Sequence, residues 1–261
     1  MFQNIGVVGA KGFIGSHLVK RSKACGLYGR ENIRSIRNSK HDLLICAGAP
    51  AEKWKANLNP ELDRANLDLL AQELSHSNAK KLVLVSTIDV LEPNSSQSET
   101  AEIDKKQLEA YGLNRRNFEE QVFSIFPDSL VMRLPGMFGP GLKKNIIFDL
   151  INGRELSRMN IKSSFQWYDV RDIWGHMLAA LQADLHLLHL ATEPISVFNL
   201  IEALDIERKS ELEIAGVSPR RYEMLTNYAE IISGREGNFL KSSQECLLGI
   251  KQFAEISRAS F

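Results

Sequence analysis

The stretch Ile5–Gly15 (IGVVGAKGFIG) decides the fold, because it joins a short apolar run to three glycines spaced as G-x-x-G-x-x-G. Its first four residues, Ile5–Val8, have the composition and length of a buried strand. Residues 12–23 carry apolar side chains at helical spacing, which predicts a helix packed on a sheet. A strand, a glycine turn and a helix in this order are typical of a loop that holds the phosphates of a dinucleotide.

The glycines of this loop have separate tasks. One makes the tight turn, one lets the backbone approach a pyrophosphate, and one lets the helix pack close to the strand. A glycine triplet alone also fits a plain tight turn, so the position between strand and helix carries the prediction. We expect cofactor contacts at Gly9, Lys11, Gly12, Phe13, Ile14 and Gly15.

The next 120 or so residues repeat the alternation of strand and helix. Buried strands are predicted at 42–47, 81–86 and 130–133, and helices at 60–74 and 110–126. This order predicts a Rossmann-type doubly wound parallel sheet in the α/β class. About fifteen residues separate the weak strand Leu27-Tyr28 from Asp42, with room for a short helix around Ile33–Ile36. The sheet is therefore expected to be one strand short.

The pattern changes after residue 135, where Pro135-Gly136 and Gly139-Pro140-Gly141 interrupt it. We assign 1–135 to the dinucleotide-binding core. Residues 136–261 are expected to form a smaller substrate-binding lobe and to complete the core, as one integrated unit. Within them Ile173–Leu190 is predicted as a helix, although its end, Leu187–Leu190, is also strand-like.

Composition limits the classes of function. Among the 261 residues, 32 Lys and Arg balance 32 Asp and Glu, so the basic excess of a phosphate-contacting nucleic-acid binder is lacking. The three cysteines have no metal-ligand spacing and are interpreted as reduced core residues, so no metal is expected. Neither a signal peptide nor an apolar run of about 20 residues is visible, so we expect a cytoplasmic protein that does not bind membranes.

The residue after the second strand distinguishes the two nicotinamide cofactors. An acidic residue there bonds the ribose 2′-hydroxyl of NAD, whereas an arginine suits the 2′-phosphate of NADP. Gly29-Arg30 follows Leu27-Tyr28, which favours NADP with Arg30 on the phosphate, with NAD as the alternative. A solvated surface arginine is the other interpretation of Arg30.

Five motifs in order give the chain a family resemblance. They are the Gly9–Gly15 loop, Ala47-Gly48-Ala49, Ser86-Thr87, Tyr111-x-x-x-Arg115, and a final segment from Arg133 to Gly141. In this order and spacing they resemble the extended short-chain dehydrogenase/reductase family of nucleotide-sugar epimerases, dehydratases and reductases. The resemblance covers most of the chain. It implies cofactor contacts at Ala47, Gly48, Ala49, Tyr111, Arg115 and Pro135.

The resemblance also implies the catalytic roles. A tyrosine is the acid/base of that family, a lysine four residues later lowers its pKa, and a Ser or Thr bonds the reacting oxygen. Here Tyr111 takes the first role and Thr87, 24 residues earlier, the third. Arg115 stands where the family has lysine, which departs from the pattern. Arginine keeps the charge but has a different shape, so tyrosine activation survives in altered form or is lost.

Several residues near the expected carboxyl ends of strands are candidates for substrate binding. Asp89 lies in a segment similar to S-T-D-E-V of sugar-nucleotide dehydratases, but Ile88 replaces one acid, so dehydration ranks below epimerisation or reduction. A strand-capping aspartate is the alternative. Trp54 either stacks on a ring or covers a helix. The resemblance assigns Asn145 to the nucleotide diphosphate, with a solvated basic turn as the alternative, and places Tyr168 at the border of the substrate lobe.

These residues predict an NAD(P)-dependent epimerase or reductase that acts on a nucleotide-activated sugar. The alternative is a non-catalytic dinucleotide-binding sensor or scaffold of the same fold, which the arginine at position 115 favours. The resemblance further implies a homodimer that associates through helices 60–74 and 110–126.

Overall fold

A computed structural model describes residues 2–154, 156, 159–206 and 218–259. The chain divides into two compact units. Unit 1 has the bounds Met1–Glu92, Glu102–Arg133 and Asp172–His189, and unit 2 has the bounds Pro93–Ala101, Leu134–Arg171 and Leu190–Phe261. The described part of the chain contains no helix that is both long and apolar enough to cross a membrane.

Unit 1 is built on a six-stranded sheet. Its strands in chain order are β1 (Ile5–Val8), β2 (Gly26–Tyr28), β3 (Lys40–Cys46), β4 (Asn78–Thr87), β6 (Leu130–Leu134) and β10 (Leu187–His189), with β5 belonging to unit 2. They lie in the order β10-β6-β4-β3-β1-β2. The pairings of β1 with β2 and β3, of β3 with β4, and of β10 with β6 are all parallel. The prediction of a doubly wound α/β sheet is therefore confirmed.

Helices connect these strands. They are α1 (Phe13–Ser22), α2 (Lys53–Leu58), α3 (Pro60–Ser75), α4 (Ala110–Ile125) and α6 (Ile173–Gln182). Helix α1 contacts α6, and α3 contacts α4, as expected of a sheet covered on both faces. The strands bury apolar side chains beneath α3 and α4, and this core includes Val8, Leu44, Cys46, Leu67, Leu74, Leu82, Leu84, Phe118, Val122 and Val131.

Within the described residues, the sheet lacks a strand beyond β2, as expected from the short segment between β2 and β3. Between β2 and β3 the chain forms a 3₁₀ helix at Ile33–Ile36, where a short helix was predicted, so β2 remains the edge strand. The helix predicted at Ile173–Leu190 is too long, whereas the strand-like character noted for Leu187–Leu190 is confirmed. Helix α6 ends at Gln182, Asp184 takes a left-handed conformation (φ 52°), and Leu187–His189 joins the sheet as β10.

Unit 2 has short elements and a core of its own. Its strands are β5 (Ser96–Gln97), β7 (Gly136–Phe138), β8 (Ser164–Phe165), β9 (Trp167–Asp169), β11 (Ile195–Ser196) and β12 (Glu223–Met224), and its helices are α5 (Ile146–Asn152), α7 (Val197–Ala203), α8 (Ala229–Ser233) and α9 (Ser243–Arg258). Three two-stranded sheets pair β7 with β9, β8 with β11 and β5 with β12. The C-terminal helix α9 begins at a capping box formed by Ser242 and Glu245, and it packs into this core through Cys246, Ile250 and Phe253.

Candidate active site

The glycine loop connects β1 to α1 at the carboxyl edge of the sheet. Gly9 has φ +80°, and the loop is tied to the neighbouring strand because the amides of Gly9 and Ala10 both donate to the Tyr28 carbonyl, at 2.8 and 3.2 Å. Gly12 is the N-cap of α1, so the first amides of that helix face the end of the loop. These free helix-terminal amides and the positive end of the helix dipole suit an anion.

The loop glycines differ in the space around them, and the difference fits a pyrophosphate. A Cβ atom at Gly15 would collide with the Gly9 carbonyl oxygen, so this glycine is required for packing. A Cβ atom at Gly12 would lie 3.2 Å from the Gly9 carbonyl oxygen, with no other contact within 4 Å in the described structure. The backbone at Gly12 is thus open on the side from which a phosphate can approach.

Three charged residues lie where β2 ends and the loop begins. Arg30 is exposed, and Lys11 forms an ion pair with Glu31. The hydrogen bond from Lys11 is the main cause that lowers the pKa of Glu31. Sequence reasoning missed Glu31 because it considered only the residues directly after Tyr28. With one carboxylate and two cations, this edge carries one net positive charge.

The segment after β3 lies against the loop. A Cβ atom at Gly9 would collide with the Ala47 carbonyl oxygen, and one at Gly48 would lie 2.9 Å from Cγ1 of Val8. The Ala47 amide donates to the Val8 carbonyl at 2.9 Å. Ala47 and Gly48 therefore lie at the same sheet edge as the loop, and the cofactor contacts of Ala47, Gly48 and Ala49 stay a prediction.

Arg115 and Tyr111 are in contact on α4. The guanidinium carbon of Arg115 lies 3.9 Å from the centroid of the Tyr111 ring. Arg115 is buried, with 3% of its surface exposed. Its Nη1 forms an ion pair with Asp63 of α3, and its Nη2 donates to the Pro50 carbonyl at 2.5 Å. Asn114 also donates to Asp63, at 2.9 Å. Sequence reasoning missed Asp63, because an acidic residue in the first turn of a helix is commonly explained by its favourable interaction with the helix dipole.

The surroundings of Tyr111 disfavour its ionised form. Tyr111 is 8% exposed, and burial is the main cause that raises its pKa above the ordinary value of 10.0. The positive charge of Arg115 opposes this shift, whereas the negative charges of Asp89 and Asp63 add to it. The phenol is therefore protonated near neutral pH.

The segment that carries Thr87 and Asp89 packs against the start of α4, where the two backbones come close together. A Cβ atom at Gly112 would collide with the Asp89 carbonyl oxygen, so the glycine after Tyr111 lets α4 pack on the 3₁₀ helix Ile88–Val90. Thr87 ends β4 and caps that helix. This packing brings two of the predicted catalytic residues, Thr87 and Tyr111, to the same end of unit 1.

Lys53 of α2 completes a charged cluster here. Its ammonium lies 2.7 Å from Oδ1 of Asp89 and 2.9 Å from Oε2 of Glu109. Asn57, on the same helix, donates to Glu109 at 3.0 Å and accepts the Tyr111 amide at 2.9 Å. Sequence reasoning did not bring together Lys53 and Glu109, since they are 56 positions apart and belong to no shared motif.

The other predicted substrate residues have varied surroundings. Trp54 is 66% exposed, with the Lys55 ammonium 5.4 Å from its ring centroid. In unit 2, Pro135 is buried between β6 and β7, and Tyr168 on β9 is 1% exposed. Asn145 caps α5 by accepting the Phe148 amide at 3.1 Å, and it donates to the Met137 carbonyl at 2.7 Å. Substrate contacts by these residues remain predictions.

Comparisons with sequences and with solved structures give different results. No protein-family model matches the chain, and no curated protein matches its sequence. Solved structures match over nearly the whole chain. One is dTDP-4-dehydrorhamnose reductase from Yersinia enterocolitica, with a TM-score of 0.71, 14% identity and coverage of 97% of this chain and 99% of that chain.

Two further structures come from related reaction types. UDP-glucuronic acid 4-epimerase from Bacillus cereus, solved with NAD and a fluorinated UDP-sugar, has a TM-score of 0.72 and 14% identity over 99% of this chain and 100% of that chain. An NAD-dependent NDP-hexosamine 5,6-dehydratase of tunicamycin biosynthesis has a TM-score of 0.75 and 16% identity over 98% of each chain. The chain therefore has the fold of nucleotide-sugar epimerases, reductases and dehydratases, and the predicted Rossmann-type fold is confirmed.

Proposed function

We propose that this protein is an NAD(P)-dependent epimerase or reductase of a nucleotide-activated sugar. The observation that carries the proposal is the approach of α4 to the end of β4 at Gly112, which brings Tyr111 and Thr87 to one end of the sheet. The glycine loop lies at the carboxyl ends of the strands of the same sheet, where ligands of such folds bind. Solved structures of this fold include enzymes that carry out both reactions.

The chain's own residues divide the work of binding. The loop and the start of α1 would hold the pyrophosphate through backbone amides, and the segment Ala47–Ala49 would contact the dinucleotide. When bound, the nicotinamide cofactor accepts or returns a hydride. Tyr111 presents a protonated phenol to the reacting sugar oxygen, and Thr87 bonds the same oxygen. Trp54, Asp89, Asn145 and Tyr168 are proposed to contact the nucleotide sugar.

Titration with each nicotinamide dinucleotide, followed by assay with nucleotide sugars, tests this proposal. We expect dinucleotide binding and turnover of a UDP- or dTDP-sugar. Tyr111→Phe should keep dinucleotide binding and lower turnover by roughly 100-fold or more, as expected for loss of a donor to the reacting oxygen. A reductase oxidises reduced cofactor stoichiometrically, whereas an epimerase leaves its amount unchanged. If the wild-type protein binds none of the dinucleotides, the proposal is wrong.

A non-catalytic dinucleotide-binding sensor or scaffold is the second candidate. The buried ion pair of Arg115 with Asp63 favours this candidate. Arg115 stands where the family has the lysine that activates the tyrosine and holds ribose, and here the guanidinium is already bound by Asp63. For a sensor, we expect tight dinucleotide binding, no turnover of any nucleotide sugar, and an identical dinucleotide affinity in Tyr111→Phe. The same two measurements therefore separate the candidates.

We propose that NADP is the preferred cofactor, because the end of β2 carries one net positive charge and an exposed arginine. A charge-assisted hydrogen bond contributes roughly 1.5–3 kcal/mol. Arg30→Ala is therefore expected to weaken NADP binding about 10- to 100-fold and to leave NAD binding nearly unchanged. Calorimetric titration measures both, with Arg64→Ala on α3 as a control for loss of an exposed arginine. Equal losses for the two cofactors would reject the assignment.

We also propose a homodimer formed through α3 and α4. Leu62 and Leu69 of α3 are 64% and 59% exposed, so the outward face of this helix presents apolar surface. Light scattering of the full chain in solution tests this proposal, and a monomeric mass would contradict it.

A further inference from the structure

The hydroxyl of Thr87 already uses its proton in a hydrogen bond to Asp89. It donates its proton to Oδ2 of Asp89 at 3.0 Å and accepts the Asp89 amide at 3.2 Å. A hydroxyl has one proton and two lone pairs. In the described structure these two bonds use the proton and one lone pair, so Thr87 meets an incoming sugar hydroxyl as an acceptor.

The two carboxylate oxygens of Asp89 bind different partners, Thr87 and Lys53. Oδ2 accepts the Thr87 hydroxyl, and Oδ1 accepts the Lys53 ammonium at 2.7 Å. Side chains of both Thr87 and Asp89 are partly exposed, whereas Ile88 between them is buried. Thr87 is thus a partly exposed residue whose hydroxyl is hydrogen-bonded directly to a carboxylate.

Lys53 is held by a second carboxylate. Its ammonium is 2.9 Å from Oε2 of Glu109, and Asn57 fixes that carboxylate with a bond of 3.0 Å. If Asp89 takes up a proton, Lys53 still has an anionic partner. A partly buried cation left without a partner would be costly, and Glu109 removes that cost.

We propose that Thr87 and Asp89 form a proton relay, in which Asp89 takes the proton of the oxidised sugar hydroxyl through Thr87 and Lys53 positions its carboxylate. The proposal rests on the proposed function. The hydroxyl proton passes to Oγ1 of Thr87 while the Thr87 proton passes to Oδ2 of Asp89. A bound oxidised nicotinamide would take the electron pair of the sugar C–H bond as hydride, so that a C=O bond forms as the hydroxyl proton leaves. Reduction reverses each transfer.

The relay is compatible with the surroundings of Tyr111. Its phenol is buried against Arg115 and stays protonated near neutral pH, so it suits the role of hydrogen-bond donor to the sugar oxygen. Thr87 then accepts from the same oxygen. One oxygen can make both contacts, because an alcohol is both donor and acceptor.

The test mixes the full chain, loaded with oxidised dinucleotide, rapidly with UDP-glucose, UDP-glucuronic acid or dTDP-glucose, and follows the absorbance of the reduced nicotinamide that forms within a single turnover. Asp89→Asn and Thr87→Val are expected to lower the rate of cofactor reduction by about 10²- to 10⁴-fold, the usual range for loss of a general base, with dinucleotide affinity unchanged. Thr87→Ser, which keeps the hydroxyl, should retain most of the rate that Thr87→Val loses. Added formate should restore part of the rate of Asp89→Ala, but not that of Thr87→Val.

Infrared difference spectroscopy supplies a readout that is independent of the rate. The wild type should gain a carboxylic acid C=O band as reduced nicotinamide forms, and Asp89→Asn should lack it. Glu52→Gln on the loop before α2 is the control for loss of a nearby carboxylate, and it should keep both the rate and the band.

A wild-type rate in Asp89→Asn, or no rescue by formate, would overturn the relay alone. A wild-type protein that binds dinucleotide but neither converts any of the three sugars nor forms reduced nicotinamide within a single turnover would overturn the proposed function, and the relay with it.

Discussion

Gly12→Val is expected to abolish dinucleotide binding while the protein stays folded. Gly12 has φ −71° and ψ 169°, which valine tolerates, and its new Cβ would need only a small shift of the Gly9 carbonyl 3.2 Å away. The isopropyl group would then fill the side from which the phosphates approach. Hydrogen bonds to a charged group contribute roughly 1.5–3 kcal/mol each, so losing two weakens binding at least about 100-fold. Titration calorimetry measures the affinity.

Two further glycines make this result specific. Gly175 on α6 has no atom near its virtual Cβ in the described structure, so Gly175→Val should leave dinucleotide affinity unchanged. Gly15→Ala should instead damage the fold, because its Cβ collides with the Gly9 carbonyl oxygen. Circular dichroism during thermal unfolding separates these effects. Wild-type affinity in a folded Gly12→Val protein would mean that the loop does not hold phosphate.

The architecture of unit 1 could be predicted because its signals are local. Apolar runs such as Ile5–Val8 and the glycine loop after it are read from adjacent residues, and parallel order follows from strand–helix alternation. The prediction failed at Ile173–Leu190, where one apolar stretch contains the end of a helix and the start of a strand. Hydrophobic periodicity alone does not show where the helix ends and the strand begins. In the structure the chain changes direction at Asp184, which has a left-handed conformation.

The site was less predictable, because its polar partners come from distant positions. The motif identified Tyr111 and Thr87, but Asp63 lies 52 residues before Arg115 and Lys53 lies 36 residues before Asp89. Such pairs are formed by tertiary packing of α2 and α3 on α4, and one sequence carries no signal of them. Arg115 was expected to contact the cofactor and to act on Tyr111, and only the structure shows that its guanidinium contacts Tyr111, Asp63 and Pro50.

Asp63→Ala is expected to lower the free energy of unfolding by roughly 3–5 kcal/mol, the usual cost of removing one partner from a buried ion pair. Arg115 is 3% exposed and Asp63 is 7% exposed, so water cannot replace the lost carboxylate. Within the described residues, Nε of Arg115 is buried without a hydrogen-bond partner. The guanidinium therefore depends strongly on Asp63 and on the Pro50 carbonyl. Urea denaturation followed by circular dichroism measures the change.

A second substitution and a matched control identify the cause. Asp63→Ala combined with Arg115→Met should recover most of the lost stability, because the uncompensated charge is removed and methionine fills an apolar space. Asp68→Ala, at an exposed aspartate on the same helix, should change the free energy of unfolding by no more than about 0.5 kcal/mol. If Asp63→Ala costs no more than Asp68→Ala, the ion pair does not hold Arg115. The arginine would then be free to reach a bound ribose, and the argument for a non-catalytic protein would lose its main support.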